Sequence, residues 1–354
     1  MTGGIGLFFD ERQLLHRPTQ FMVHGRLVAP VENPDRALTL LAALERLGLA
    51  RETVGDAGLD PILAVHADHY VAFLQAAHAE FQALRDAGPE VLPSIHPHVS
   101  ASADLGPRGR PRPSGIVGRA GWYMGDLSSG MTADTFAAAY ASAQSAIHAA
   151  RAVRDGARLA VALCRPPGHH AYIDRASGFC FLNNSAVAAA TLRERFDRVA
   201  VLDFDTHHGD GTQAIFYRRA DVLTASVHTD PSAYYPHFIG YADERGAGEG
   251  EGFNLNVPLP EGSGDEAFLA GVETIAGAAR AFGAQALVIA AGWDAHRDDP
   301  LSRLAVTSAA YPRIGAVIGR LGLPCVVVQE GGYSLAAVVE AAPLFVAALA
   351  ESLA

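Results

Sequence analysis

Short apolar runs, each closed by a tight cluster of polar residues, recur along the second half of the chain. Leu159–Cys164 leads into Arg165-Pro166-Pro167-Gly168-His169-His170-Ala171, and Gly178-Phe179-Cys180-Phe181-Leu182-Asn183-Asn184 follows closely. Val199–Leu202 leads into Asp203-Phe204-Asp205-Thr206-His207-His208-Gly209-Asp210-Gly211. Ala286–Ala291 leads into Gly292-Trp293-Asp294, and Cys325–Val328 into Glu330-Gly331-Gly332-Tyr333. Short β-branched-rich runs of this kind predict strands, placed over Val199–Asp205, Val222–His228, Ala286–Gly292 and Cys325–Gln329. Apolar spacing near 3.6 predicts helices over Thr132–Val153, with Thr132 or Asp134 as cap, and over Gly264–Phe282 and Leu335–Leu353. Strand–helix alternation over residues 159–333 implies an α/β fold whose parallel sheet is covered on both faces. Such sheets bind ligands beyond the carboxyl ends of their strands, where all these polar clusters fall.

The clusters carry specific chemistry. Several carboxylates in one place repel each other unless a cation sits among them. Asp205 and His207, two residues apart at a strand end, and Asp294 after another strand are the candidate ligands that can supply oxygen and nitrogen to one metal ion. Three protein ligands leave open positions, as a catalytic zinc site requires; Fe²⁺ suits a similar site. The plain alternatives are a solvated acidic turn for the 203–211 segment and a helix cap for Asp294. His169 and His170 are acid–base candidates, with a metal-binding pair as the other reading. Each imidazole needs a partner that fixes its tautomer, and Asp203 and Asp210 are spare acids for that task. Tyr333, beside two glycines, can approach a substrate and donate to a developing oxyanion, or simply pack. Gly178 with Phe179, and Tyr235 in Tyr234-Tyr235-Pro236, form candidate walls of an apolar slot.

Composition narrows the partners. The 354 residues are 49% hydrophobic with a formal net charge of −11, against phosphate-backbone recognition and compatible with a cationic substrate. Cys164, Cys180 and Cys325 form no disulfide framework or Cys-x-x-Cys pair. The N-terminal residues lack a signal-peptide pattern, and no apolar run is expected to be long enough to span a bilayer, so the expected location is cytoplasmic. Residues 87–121 hold six prolines and the basic segment Arg108-Gly109-Arg110-Pro111-Arg112, too short for nucleic-acid binding. This insertion is either a surface loop or a segment shaping the substrate entrance or a subunit contact. Without repeats or a convincing boundary, residues 1–354 read as one domain.

Together, the Arg165–His170, Asp203–Gly211, Gly292–Asp294 and Glu330–Tyr333 motifs resemble the zinc-dependent histone deacetylase superfamily over about residues 20–350. Within it, the Asp230–Tyr241 segment and the Pro-rich insertion are similar to the bacterial acetylpolyamine amidohydrolase and histone-deacetylase-like amidohydrolase branch. Gly252–Pro260 looks shared with the wider class. The resemblance implies the arginase/deacetylase fold, a three-layer αβα sandwich. It implies zinc on Asp205, His207 and Asp294, His170 as general base then acid, His169 as its electrostatic partner, and Tyr333 as carbonyl polariser. It further implies one potassium ion at Asp203, Asp205, His207, Ser226 and Val227, a second at Phe216, Arg219, Val222 and Phe253, and a homodimer formed through the insertion. The fuller acid set of the two-metal arginases is not found, which favours one catalytic metal. The implied activity is removal of an acetyl or other small acyl group from a small amine or an acetyl-lysine-like side chain. A non-catalytic acyl-amine binder and an amidohydrolase of a xenobiotic or secondary-metabolite amide are the rivals. The chain departs from the polyamine pattern at its entrance. Val117 and Ser128 stand where acids are expected, Asp126 is the nearby stand-in, and apolar Leu301 replaces an acidic gatekeeper.

Overall fold

The computed structural model describes residues 4–97 and 109–353. Ten strands are present among them: β1 Gly6–Phe8, β2 Phe21–Val23, β3 Arg26–Val28, β4 Ala50–Glu52, β5 Leu159–Ala162, β6 Val199–Asp203, β7 Val222–Thr229, β8 Asn254–Leu259, β9 Ala286–Ala291 and β10 Cys325–Gln329. Eight of them form one sheet in the order β4-β1-β5-β10-β9-β6-β7-β8, with every pairing parallel. β2 and β3 form a separate antiparallel hairpin.

The central strands are apolar throughout because both faces are buried. In β9, Leu287, Ile289 and Ala291 face one core, while Ala286, Val288 and Ala290 face the other. Cys325 and Val327 of β10 alternate with Val326 and Val328 in the same way. Helices Pro34–Arg46, Asp265–Phe282, Ala310–Gly319 and Leu335–Leu353 cover the first face. Helices Asp68–Gln82, Ile116–Tyr123, Thr135–Arg154 and Asn184–Leu192 cover the second. The result is the expected three-layer αβα sandwich. Each fully buried Val, Leu, Ile or Phe contributes roughly 1.5–3 kcal/mol by leaving water, so the two cores dominate the fold's stability.

From β6 the chain moves outward through β7 and β8, then returns to the other side of β6 as β9. That reversal opens a crevice between the carboxyl ends of β6 and β9, the place where open α/β sheets bind ligands. The loops leaving these two strands carry Asp205, His207 and Asp294.

Several expectations shift in detail. β6 and β9 stop at Asp203 and Ala291, short of the expected Asp205 and Gly292. The N–H of Asp205 bonds the Asp203 side chain at 3.0 Å instead of continuing the ladder. The Ala-rich helix starts at Thr135; Asp134 occupies the cap position but makes no side-chain cap hydrogen bond. The insertion is not irregular throughout, because Ile116–Tyr123 is helical and Val91 bridges Met131; residues 98–108, with Arg108, lie outside the described part. Leu335–Leu353 corrects the expectation about apolar length: at 19 residues and mean hydropathy 1.7 it is long and apolar enough to cross a bilayer. Its Ala337, Val338, Ala341, Phe345 and Leu349 face is buried in the core instead.

Candidate active site

Asp205, His207 and Asp294 converge. One ligand atom from each lies within 4.8 Å of the others, and all three residues are buried. Nδ1 of His207 sits 3.1 Å from Asp205 Oδ1 and 3.1 Å from Asp294 Oδ2. Backbone donors fix both acids: Gly331 N–H on Asp205 at 2.8 Å and Thr206 N–H on Asp294 at 3.0 Å. A Cβ on Gly331 would fall 2.2 Å from Asp294 Oδ2, so only glycine lets this strand-end turn pass so close. Burial and the neighbouring Asp205 raise Asp294 to about 7. Burial lowers His207, but Asp205 and Asp294 outweigh it and hold the imidazole at about 9. Both shifts express a cluster that needs a positive charge among its acids, and the mixed oxygen–nitrogen donor set fits a divalent metal ion.

His169 and His170 lie beside this cluster with ring centroids 4.0 Å apart. Neither belongs to the group of converging metal-ligand candidates, and each places Nδ1 on its own carboxylate: His169 on Asp203 at 3.0 Å and His170 on Asp210 at 2.6 Å. Asp203 and Asp210 thus each lie on one of the two imidazoles. Burial opposes charge on His169, but Asp205 and Asp203 hold it well above the usual imidazole range. Burial and the neighbouring His169 push His170 down to about 4, against the pull of Asp210. Two adjacent imidazoles thus hold opposite protonation preferences, the arrangement that separates an electrostatic partner from a base.

Tyr333 enters from the loop after β10. Its N–H donates to Asp299 Oδ2 at 2.6 Å, its ring meets Phe179 edge-on at 5.9 Å, and the Arg36 guanidinium lies 4.4 Å from its ring centre. Burial pushes the phenol well above its ordinary value, so it is a donor at neutral pH. A cavity of about 630 Å³ is lined by His170, His207 and Tyr333, with Gly178, Phe179, Tyr234, Tyr235 and Leu301, and with Phe21 and Met22 from the β2–β3 hairpin. Gly178 has φ +55°, and a Cβ there would meet His170 Cδ2 at 2.3 Å.

Sequence reasoning missed several supports. Asp126 lines the cavity, but both of its carboxylate oxygens are engaged within the protein. Its Oδ1 accepts the N–H and hydroxyl of Ser128, and its Oδ2 accepts from Gly178 N–H, Ser177 and Tyr235. The carboxylate instead clasps both walls of the slot. Glu330 accepts from Gly168 and His169 N–H and from Ser185, positioning the histidine turn; burial raises it to about 7. Glu32 bridges Arg36 and Arg165, and Arg36 in turn donates to the carbonyls of Glu330 and Gly332. Glu32 and Arg36 are four residues apart, but nothing local signals that they meet Arg165 or the Glu330–Gly332 turn. Tyr234 stacks on His207, with its hydroxyl 2.7 Å from Nε2. Of the residues implied for potassium, Asp203 and Ser226 pair across β6 and β7 near the cluster, and Val227 follows. Ser226 Oγ lies 2.8 Å from His228 Nδ1. Phe216, Arg219, Val222 and Phe253 gather at the amino end of β7, remote from the cluster.

An acid–imidazole cluster shaped for a divalent cation, beside paired imidazoles at a sheet's carboxyl edge, defines the class of metal-dependent hydrolases. Residues 30–349 match the histone deacetylase domain. The acetylpolyamine amidohydrolase of Burkholderia pseudomallei is 46% identical over 329 residues, covering 93% of this chain and 94% of the relative. Acetylpolyamine amidohydrolase 1 of Pseudomonas aeruginosa is 42% identical over 336 residues, covering 94% and 95%. A crystal structure of acetylpolyamine aminohydrolase from Burkholderia pseudomallei superposes with a TM-score of 0.93 at 45% identity, covering 98% of each chain. The chain belongs to the histone deacetylase domain family, and it is an enzyme of the deacetylase and amidohydrolase type.

Proposed function

We propose that this enzyme hydrolyses the acetyl amide of small N-acetylated amines, acetylpolyamines among them, with Asp205, His207 and Asp294 holding one Zn²⁺. The observation that carries the reading is the convergence of those three side chains at a cavity that His207 lines together with His170 and Tyr333. Bound zinc supplies Lewis-acid polarisation of the amide carbonyl and a lowered pKa for the attacking water. His170, neutral and with Nδ1 occupied by Asp210, takes that water's proton at Nε2 and returns it to the leaving amine. His169, held positive between Asp203 and Asp205, stabilises developing negative charge. The Tyr333 hydroxyl donates to the oxyanion. Phe179 and Tyr235 clasp the apolar stem, and Leu301 lines the outer cavity. The two potassium sites, a cytoplasmic location, a single domain over 1–354 and a homodimer through the insertion belong to the same reading; similarity to the acetylpolyamine amidohydrolases supports it. Fe²⁺ is the alternative metal for this donor set.

Acetate release from acetylputrescine, acetylspermidine and an acetyl-lysine peptide tests it. Turnover of the small amines is expected to vanish with a chelator and return with zinc. Tyr333→Phe is expected to lower kcat roughly 10²–10³-fold, as loss of an oxyanion donor does. Chelator-insensitive turnover, or none on any substrate, would sink the proposal.

A further inference from the structure

The His170–Asp210 pair has a third member. Asp210 Oδ1 lies 2.6 Å from His170 Nδ1, and Asp210 Oδ2 accepts the hydroxyl of Tyr172 at 2.8 Å. The neighbouring pair is completed differently: Asp203 Oδ2 meets His169 at 3.0 Å, and its Oδ1 accepts the main-chain N–H of Asp205 at 3.0 Å. The terminal torsion of a carboxylate is broad and roughly two-fold. A donor on one oxygen leaves the plane free to swing, whereas a donor on each oxygen pins it. At Asp203 the backbone N–H of Asp205 does the pinning, so trimming a side chain does not remove it. At Asp210 the task falls to a side chain.

Tyr172 is built to hold still. Its N–H donates to Arg175 O at 2.9 Å and closes a tight turn directly after the histidine pair. The Arg175 guanidinium lies 4.1 Å from its ring centre. Burial and Asp210 keep the phenol well above its ordinary value, so the hydroxyl stays a donor.

We propose that Tyr172 is a positioning residue for the deacetylation step: its hydroxyl clamps Asp210, and Asp210 thereby aims Nε2 of His170 at the attacking water. The inference rests on His170 being the base of the proposed reaction. It concerns a turn outside the metal ligands, so zinc content is expected to be unaffected.

The test is a double-mutant cycle on the zinc-loaded protein with Tyr172→Phe, Asp210→Ala and both together. Tyr172→Phe is expected to lower kcat on the order of 10-fold at unchanged KM, as loss of an outer hydrogen-bond partner does. In the Asp210→Ala background it should change kcat by less than about twofold, because the clamp then has nothing to act through. Ile173→Ala, an exposed neighbour on the same turn, should leave kcat unchanged. Equal effects of Tyr172→Phe in both backgrounds, or parallel changes in kcat and KM, would overturn the proposal. The histidine imidazole N–H spectrum gives a readout independent of turnover. The His170 Nδ1 proton, assigned by its loss in His170→Ala, should be downfield and slowly exchanging, and should broaden in Tyr172→Phe. Its absence from the wild-type spectrum overturns the clamp even if the variants fold poorly. Wild-type protein without chelator-sensitive turnover would instead count against the deacetylase reading, leaving the spectrum to decide the clamp.

Discussion

At the scale of single residues, most of the chemistry lies in short motifs, but what makes those side chains competent comes from residues outside them. His207 shows this. Its Nδ1 faces two acids, and its Nε2 meets the Tyr234 hydroxyl, which also bonds the carbonyl of Leu301. Nε2–H donating to Tyr234 leaves Nδ1 unprotonated for a metal, the arrangement by which outer partners tune ligating histidines. Tyr234→Phe removes the acceptor while keeping the stacked ring. It is expected to weaken zinc binding by roughly 10–100-fold in a chelator-competition titration. An affinity within about twofold of wild type would deny Tyr234 that role.

At the scale of elements, the slot walls come from loops that do not adjoin in sequence, and Asp126 ties them together. The carboxylate holds the turn of Ser177 and Gly178 and the loop carrying Tyr235. Phe179 adopts a φ of +66°, an uncommon conformation for a side chain of its bulk, and the clasp lies next to it. Asp126→Ala leaves several donors without an acceptor. It should cost roughly 1–3 kcal/mol of stability in urea unfolding and raise KM by opening the slot. Unchanged values of both would mean that the walls hold by packing alone. An entrance acid acting on the substrate would produce a different pattern, with KM changed for charged amines only and stability untouched.

At the scale of the whole molecule, both layers bury neutral imidazoles, which makes the fold acid-sensitive. Burial lowers His16, His66 and His228 to about 4 from 6.5. His66 shows why protonation is opposed: its Nε2 accepts the Asn183 N–H at 2.8 Å, a bond that a protonated ring cannot make. The unfolded chain takes up these protons near pH 6.5 and the fold only near pH 4. Between those values the unfolded state carries more protons, so stability is complete above 6.5 and falls as pH drops. Each group is worth roughly 3 kcal/mol by the bottom of the window. The urea midpoint, followed from pH 8 to pH 5 with zinc in excess, should fall steeply below about 6.5, and His66→Gln should flatten the slope. A flat midpoint across that range would show that these imidazoles are accessible to protons in the fold. The sequence alone determined the strands that carry the site, the doubly covered parallel sheet and which acids and imidazoles gather at its carboxyl edge. A doubly buried strand must be apolar throughout, and a cluster of acids at its end must find a cation. The insertion's helix, the short edge strand β4 with its neighbour β1, and the β2–β3 hairpin were not legible, because three-residue strands carry too little periodicity to mark themselves. Only the tertiary structure decided that Asp126 is an internal clasp, that Glu32 and Arg36 support the Tyr333 loop, and that Tyr172 backs Asp210. Those pairings join residues up to hundreds of positions apart, and the chain reversal between β6 and β9, not local spacing, brings their elements to one crevice.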